Sequence, residues 1–142
     1  MKTTIYIEGL PEDARKIREA VFIKEQGFQK EFDEVDSKAA HIVIYDDEIP
    51  MGTCRVFWND EMDSYIIGRV AVMKEYRGRK LGTKLLQEAE KYVMKERGKK
   101  LSLHAQCRVK AFYEAQGYQA YGRPEDDEGC PHIWMEKTVY FE

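Results

Sequence analysis

The stretch EYRGRKLGTKLL (residues 75–86) sets Arg77, Arg79, Lys80 and Lys84 around Gly78 and Gly82, directly before an apolar run at helical spacing. A strand that runs into a glycine-bearing loop and then a helix is a natural anion site. The loop amides turn inward, the helix N-terminus adds partial positive charge, and glycine lets a ligand come close. Here Gly78 and Gly82 are the permissive positions, and Leu81 and Thr83 begin the helix. Amides from Arg77 to Thr83 could cradle a phosphate, with the Arg77, Arg79 and Lys80 side chains pairing with further oxygens. The same residues also describe an ordinary basic loop before an amphipathic helix. Two nucleotide patterns fail on spacing: three residues, not four, separate the glycines, Thr83 follows instead of Lys, and no G-x-G-x-x-G occurs.

Other reactive side chains are scattered. Cys54, Cys107 and Cys130 are an odd number with no C-x-x-C pair, which suits free thiols in a reducing compartment. Cys130 and His132 make half of a metal site without a second half at ligand spacing. Cys107 has no His/Asp pattern to activate it as a nucleophile.

These residues need elements to position them. TTIYI (3–7) reads as a strand, and 10–26 as a helix with Pro11 in its first turn and Ala14, Ile17, Val21 and Glu25 on one face. HIVIYDDEIPMGTCRVFW (41–58) reads as a hairpin, and SYIIGRVAV (64–72) as a strand with Gly68 marking a bulge or close approach. A helix carrying Leu81, Leu85, Leu86, Ala89 and Val93 follows and stops at Gly98. Then come a strand at 100–105, a short helix at 109–117, and strands at 118–122 and 132–141. The order β-α-β-β-β-α-β-α-β-β gives an α/β (α+β) sandwich on a largely antiparallel sheet. Two acidic stretches, KEFDEVDS (30–37) and RPEDDEG (123–129), read as solvated loops or as a negative rim drawing in a cationic substrate.

With 142 residues the chain is sized for one domain, 1–142, with a true core. It is 43% hydrophobic and 35% charged with a net charge of −3, a soluble globular composition that argues against general nucleic-acid binding. No run approaches the roughly 20 apolar residues of a membrane span, and the N-terminus lacks a signal-peptide layout, so a cytoplasmic protein is expected.

RGRKLG resembles the [QR]-x-x-G-x-[GA] phosphate loop of the GNAT acetyltransferase superfamily, with Arg77 and Gly82 in place and Lys80 where the middle glycine usually stands. VFIKEQGF (21–28), AHIVIYDDEIPMGTCRVF (40–57), AFYEAQGY (111–118) and CPHIWMEK (130–137) are similar to the small bacterial ElaA/YjcF-type subgroup. The resemblance implies a single-domain GNAT fold with helices on both faces of a mixed, mostly antiparallel sheet. Two parallel strands, 65–72 and 101–105, would splay to admit acetyl-CoA, with no metal. Main-chain groups of Val70, Ala71 and Val72 would pair with the pantetheine arm, the Val72 amide would polarise the thioester, and 77–83 would hold the pyrophosphate. Phe112 and Tyr113 would lie against the cofactor, with Tyr113 as acid to the leaving thiolate. Cys107 stands where the family often has Asn. The implied reaction is direct acetyl transfer to a primary amine of a small molecule or peptide, the alternative being an acyl-CoA-binding module without turnover. The amine's proton acceptor is open among Glu25, His41, His104 and His132, with His104 favoured by its strand position. A homodimer is compatible with such folds.

Overall fold

Ile42, Val43 and Ile44 run consecutively apolar, the pattern of a strand covered on both faces, and Ala40 through Tyr45 are all buried. The structure, a computed structural model, describes residues 1–139, so 140 and 141 of the expected last strand lie outside the described residues. It packs as two compact units, Met1–Phe57 with Ile67–Lys91, and Trp58–Ile66 with the chain from Tyr92 onward.

In the first unit β1 (Lys2–Tyr6) pairs antiparallel with β2 (Ala40–Asp46), and β2 with β3 (Ile49–Asn59), with a bulge after Ile44. The Ile67–Val72 part of β4 (Ser64–Val72) lies beside β3. Helix α1 (Glu12–Arg18) lays Ala14 and Ile17 on Val43, Tyr45 and Ala71. Each such aliphatic burial contributes roughly 1.5–3 kcal/mol. On the opposite face sits α2 (Leu81–Lys95), whose Leu85 comes so near β3 that a Cβ on Gly52 would lie 3.3 Å from it and 3.2 Å from the Ala71 carbonyl oxygen. Glycine at 52 lets helix and strand close together.

The first helix differs from the expected 10–26 span. Beyond Arg18 it widens into a π-helical segment, Glu19–Glu25, which the Gln26 amide closes on the Val21 carbonyl at 3.1 Å. The extra residue per turn brings Phe22 beside Val21 in the core and leaves Glu25 off that face.

The 30–37 stretch is more than a solvated loop: three of its four carboxylates, those of Glu31, Asp33 and Asp36, pair with three arginines. Arg18 donates to Glu31 Oε2 (2.9 Å) and Asp36 Oδ1 (2.7 Å). Arg55 donates to Asp33 (2.6 Å) and Asp36 (2.9 Å), and Arg69 Nε to the Glu31 carbonyl at 3.1 Å, with Glu31 Oε2 at 3.0 Å. Arg18, Glu31, Asp36, His41 and Arg55 are all buried. Arg69, next to the Gly68 marked as a bulge point, takes φ 53° in mid-strand. A non-glycine residue there costs roughly 1–2 kcal/mol, offset by these bonds.

The second unit pairs β5 (Lys100–Gln106) antiparallel with β7 (Cys130–Thr138), and β7 with β6 (Gln119–Asp127). Most of RPEDDEG is therefore strand, not loop, and the chain turns only at Glu128–Gly129. Nearly every residue of β6 is exposed, and an exposed edge tolerates both Pro124 and a row of acids. Helix α3 (Lys110–Ala115) follows a single tight turn, Cys107–Val109.

Burial acts to raise the Asp36 pKa, but the bonds from Arg18, the Asp33 amide and Arg55 outweigh it and hold it at about 2, below the ordinary 3.8. Asp33 is lowered in the same way; Glu31 is raised, because burial there exceeds the pull of Arg69, Arg18 and Arg55. A depressed carboxylate contributes stability above its unfolded pKa and loses it as pH falls through its folded one. Urea midpoints should therefore fall between about pH 4 and 2. At neutral pH Asp36→Asn, which leaves Arg18 and Arg55 short of a counter-charge, should cost about 3–5 kcal/mol.

Candidate active site

The end of β4 and the loop after it lie in the first unit. The Met73 amide donates to the Met51 carbonyl of β3 at 2.9 Å, and the Ala71 carbonyl also faces β3 at Gly52. Strand alternation then turns the main-chain groups of Val70 and Val72 to the other edge.

Arg77 grips from two sides. Its terminal nitrogens meet both Glu25 carboxylate oxygens at 2.6 and 2.7 Å, and its Nε donates to the Val72 carbonyl at 3.0 Å. The bond to Glu25 raises the Arg77 pKa. The side chain expected to hold phosphate instead ties the π-helical segment to the end of β4. Glu25, a candidate base, is the other half of that fork.

The chain then makes an exposed turn with Gly78 at φ 86° and Lys80 at φ 59°. Lys80 adopts the left-handed conformation that glycine takes freely, so the loop turns there although its residue carries a side chain. Helix α2 starts at once: the Lys84 amide donates to the Lys80 carbonyl at 3.1 Å, and Leu81 is buried as its anchor. The first turn, with Gly82 and Thr83, holds no acid, and Arg79 lies over the Tyr76 ring at 5.4 Å. A helix N-terminus entered from an exposed turn that carries Arg79 and Lys80 is suited chemically to an anion.

His41, also named as a base, is fully buried, and its Nε2–H donates to the Asp36 carbonyl at 2.8 Å. Burial lowers its pKa, and the bond to Asp36 places it in the ionic cluster.

The second unit carries the remaining candidates. Tyr113 on α3 is 9% exposed, its ring edge-on to Phe112 at 5.1 Å and Tyr118 at 6.1 Å. Cys107 is half-buried in the turn leading to α3. His104 stacks on its cross-strand partner Trp134 at 4.7 Å and lies 5.0 Å from the His132 ring. Its buried Nε2 has no hydrogen-bond partner among the described residues. Burial, then His132, lower its pKa, against Glu125 and Asp127. His132 meets the Cys130 carbonyl through Nδ1 at 2.8 Å. Sequence reading missed Trp134 and Glu125 as neighbours of the histidines. The i, i+2 spacing of His132 and Trp134 put them on one strand face, but the partners across β5 and β6 depend on register. Burial raises the thiol pKa of Cys54 and of Cys130. Among the described residues no three His, Cys, Asp or Glu side chains converge as metal ligands, and no helix is long and apolar enough to cross a membrane.

Residues 10–139 match the acetyltransferase (GNAT) domain family. The chain is 34% identical to the uncharacterized N-acetyltransferase YjcF of Bacillus subtilis over 88% of its own length and 90% of that protein. The crystal structure of Escherichia coli ElaA superposes with a TM-score of 0.84 at 25% identity, covering 96% of this chain and 98% of that one. An aminoglycoside 6'-N-acetyltransferase complexed with coenzyme A shares the fold, with a TM-score of 0.76 at 15% identity over 100% and 99% of the two chains. The sequence match across nearly all of the chain and the shared fold agree: this protein belongs to the GNAT acetyltransferase family.

Proposed function

We propose that the protein is an acetyl-CoA-dependent N-acetyltransferase of the cytoplasm that moves acetyl directly to a primary amine. The observation that carries this reading is the exposed turn at 77–80, with left-handed Gly78 and Lys80 opening an acid-free helix N-terminus. That cradle fits a diphosphate through main-chain amides, with Arg79 and Lys80 adding charge and Arg77 bracing β4. The Val70 main chain suits an extended amide-bearing arm, and the Val72 amide, whose carbonyl side is taken by Arg77, would stabilise the oxyanion on the thioester carbon.

In the direct reaction the amine nitrogen bonds to the acetyl carbonyl carbon, the carbon–sulfur bond breaks, and Tyr113 gives its hydroxyl proton to the leaving sulfur. Direct transfer is supported by the thiols: Cys54 and Cys130 stay protonated at neutral pH, unsuited to carry an acyl group. Three free cysteines suit a reducing compartment.

Coenzyme A should bind the wild-type protein with measurable heat and thermal protection; neither appearing in folded protein would reject the reading. Lys80→Gly should keep that binding, whereas Lys80→Val, β-branched at positive φ, should lose about 1–2 kcal/mol of stability by urea titration. Tyr113→Phe should cut kcat about 100-fold or more while the Kd for coenzyme A stays within about threefold. An unchanged kcat would remove Tyr113 from the acid role.

A further inference from the structure

We propose that the outer edge of β1 receives the β1 of a second copy of this chain, antiparallel, about a twofold axis at Ile5. Among the described residues β1 ends the sheet: it pairs with β2 in unbroken register from Lys2 to Tyr6, and no strand lies on its other side. Every second residue of such a strand turns its amide and carbonyl outward, a template for one more strand. Edges are commonly blunted by proline or rows of charge, as β6 is by Pro124 and its acids at the other end of the strand order. KTTIY has neither, and its β-branched and aromatic residues favour extended pairing.

The edge is also held in place. Tyr45 donates its hydroxyl proton to Asp13 of α1 at 2.7 Å, so the 2.5 Å contact between the Tyr45 and Tyr6 hydroxyls is a donation from Tyr6. That chain ties β1 to the helix on one face. On the other face Ile5, cross-strand from the fully buried Ile42, keeps 40% of its surface exposed. Ile7, just past the strand, keeps 68%. Pairing at Ile5 withdraws apolar surface of both copies from water.

The charges select a second copy as the occupant. Lys2 stands three residues before Ile5 and Glu8 three after it, both exposed. Reversed about Ile5, the segment is therefore complementary to itself. Ile5 faces Ile5, Thr4 faces Tyr6, Thr3 faces Ile7, and each Lys2 faces the Glu8 of the other copy. Parallel pairing in register would set lysine beside lysine and glutamate beside glutamate. The twofold contact uses one patch on both chains, so it closes at a dimer. A contact built on one strand is small, which makes the dimer concentration-dependent. None of these residues belongs to the turn at 77–80, so the pairing is independent of acetyl transfer.

The test is the molar mass of the full chain, without an N-terminal tag, by light scattering over a wide concentration range. The mass should rise from monomer towards dimer and stop there. Ile5→Lys, which sets two cations on the axis, should raise the dimer Kd about tenfold or more, as should Glu8→Lys. Lys2→Glu combined with Glu8→Lys should bring it back to within about threefold of wild type. Wild type that stays monomeric at every concentration leaves the edge to some other extended segment and overturns the second copy. A dimer that neither single variant weakens is built elsewhere and overturns it too. A dimer weakened by Glu8→Lys but not restored by the exchange refutes the antiparallel register. Should Ile5→Lys fail to fold by circular dichroism, the two charge variants at exposed positions decide alone.

Discussion

Three guanidinium groups and three carboxylates, with Arg18, Arg55, Glu31 and Asp36 buried, fix the first unit. Ions moved out of water are tolerated only when their counter-charges and hydrogen bonds are nearly complete, so each member constrains the others. Arg18 comes from the end of α1, Arg55 from β3 and Arg69 from β4, while Glu31, Asp33 and Asp36 lie within six residues of one another. The cluster therefore fastens a stretch with little regular structure to one helix and two strands. It also carries the fully buried His41, whose neutrality follows from burial. The left-handed backbone at Arg69 belongs to this arrangement, and Val70 and Val72 follow it directly.

A second restraint acts on the same strand end from the opposite direction. Arg77 joins the Val72 carbonyl to Glu25 at the end of the π-helical segment. Widening the helix by one residue is what leaves Glu25 off the apolar face. Arg69 just before Val70 and the carbonyl of Val72 are thus both held through arginine side chains. Of the positive charges ahead of α2, that of Arg77 serves as a brace.

Regular periodicity was readable from the residues alone. The Leu81, Leu85, Leu86 and Ala89 stripe, the β2–β3 hairpin and the strand at β5 stand where alternation and helical spacing put them. Features that depend on distant pairing were not. Acids at 31–36 look like a solvated run because their arginines lie 13 to 38 residues away in sequence. The acids of β6 look like a loop because strand patterns are usually half apolar, whereas an edge held by β7 on one side needs no apolar face. The meeting of His104 with His132 required a register that spacing cannot supply. At Lys80 the chain keeps a conformation for which its residue type gives no local signal.

The outer margin of the second unit has a consequence for self-association. Glu125, Asp126 and Asp127 stand in a row beside Pro124, which has no amide hydrogen to offer. Another copy sliding alongside would bring carboxylates against carboxylates and meet a missing donor. Such a rim disfavours extension of the sheet along 125–127 near neutrality.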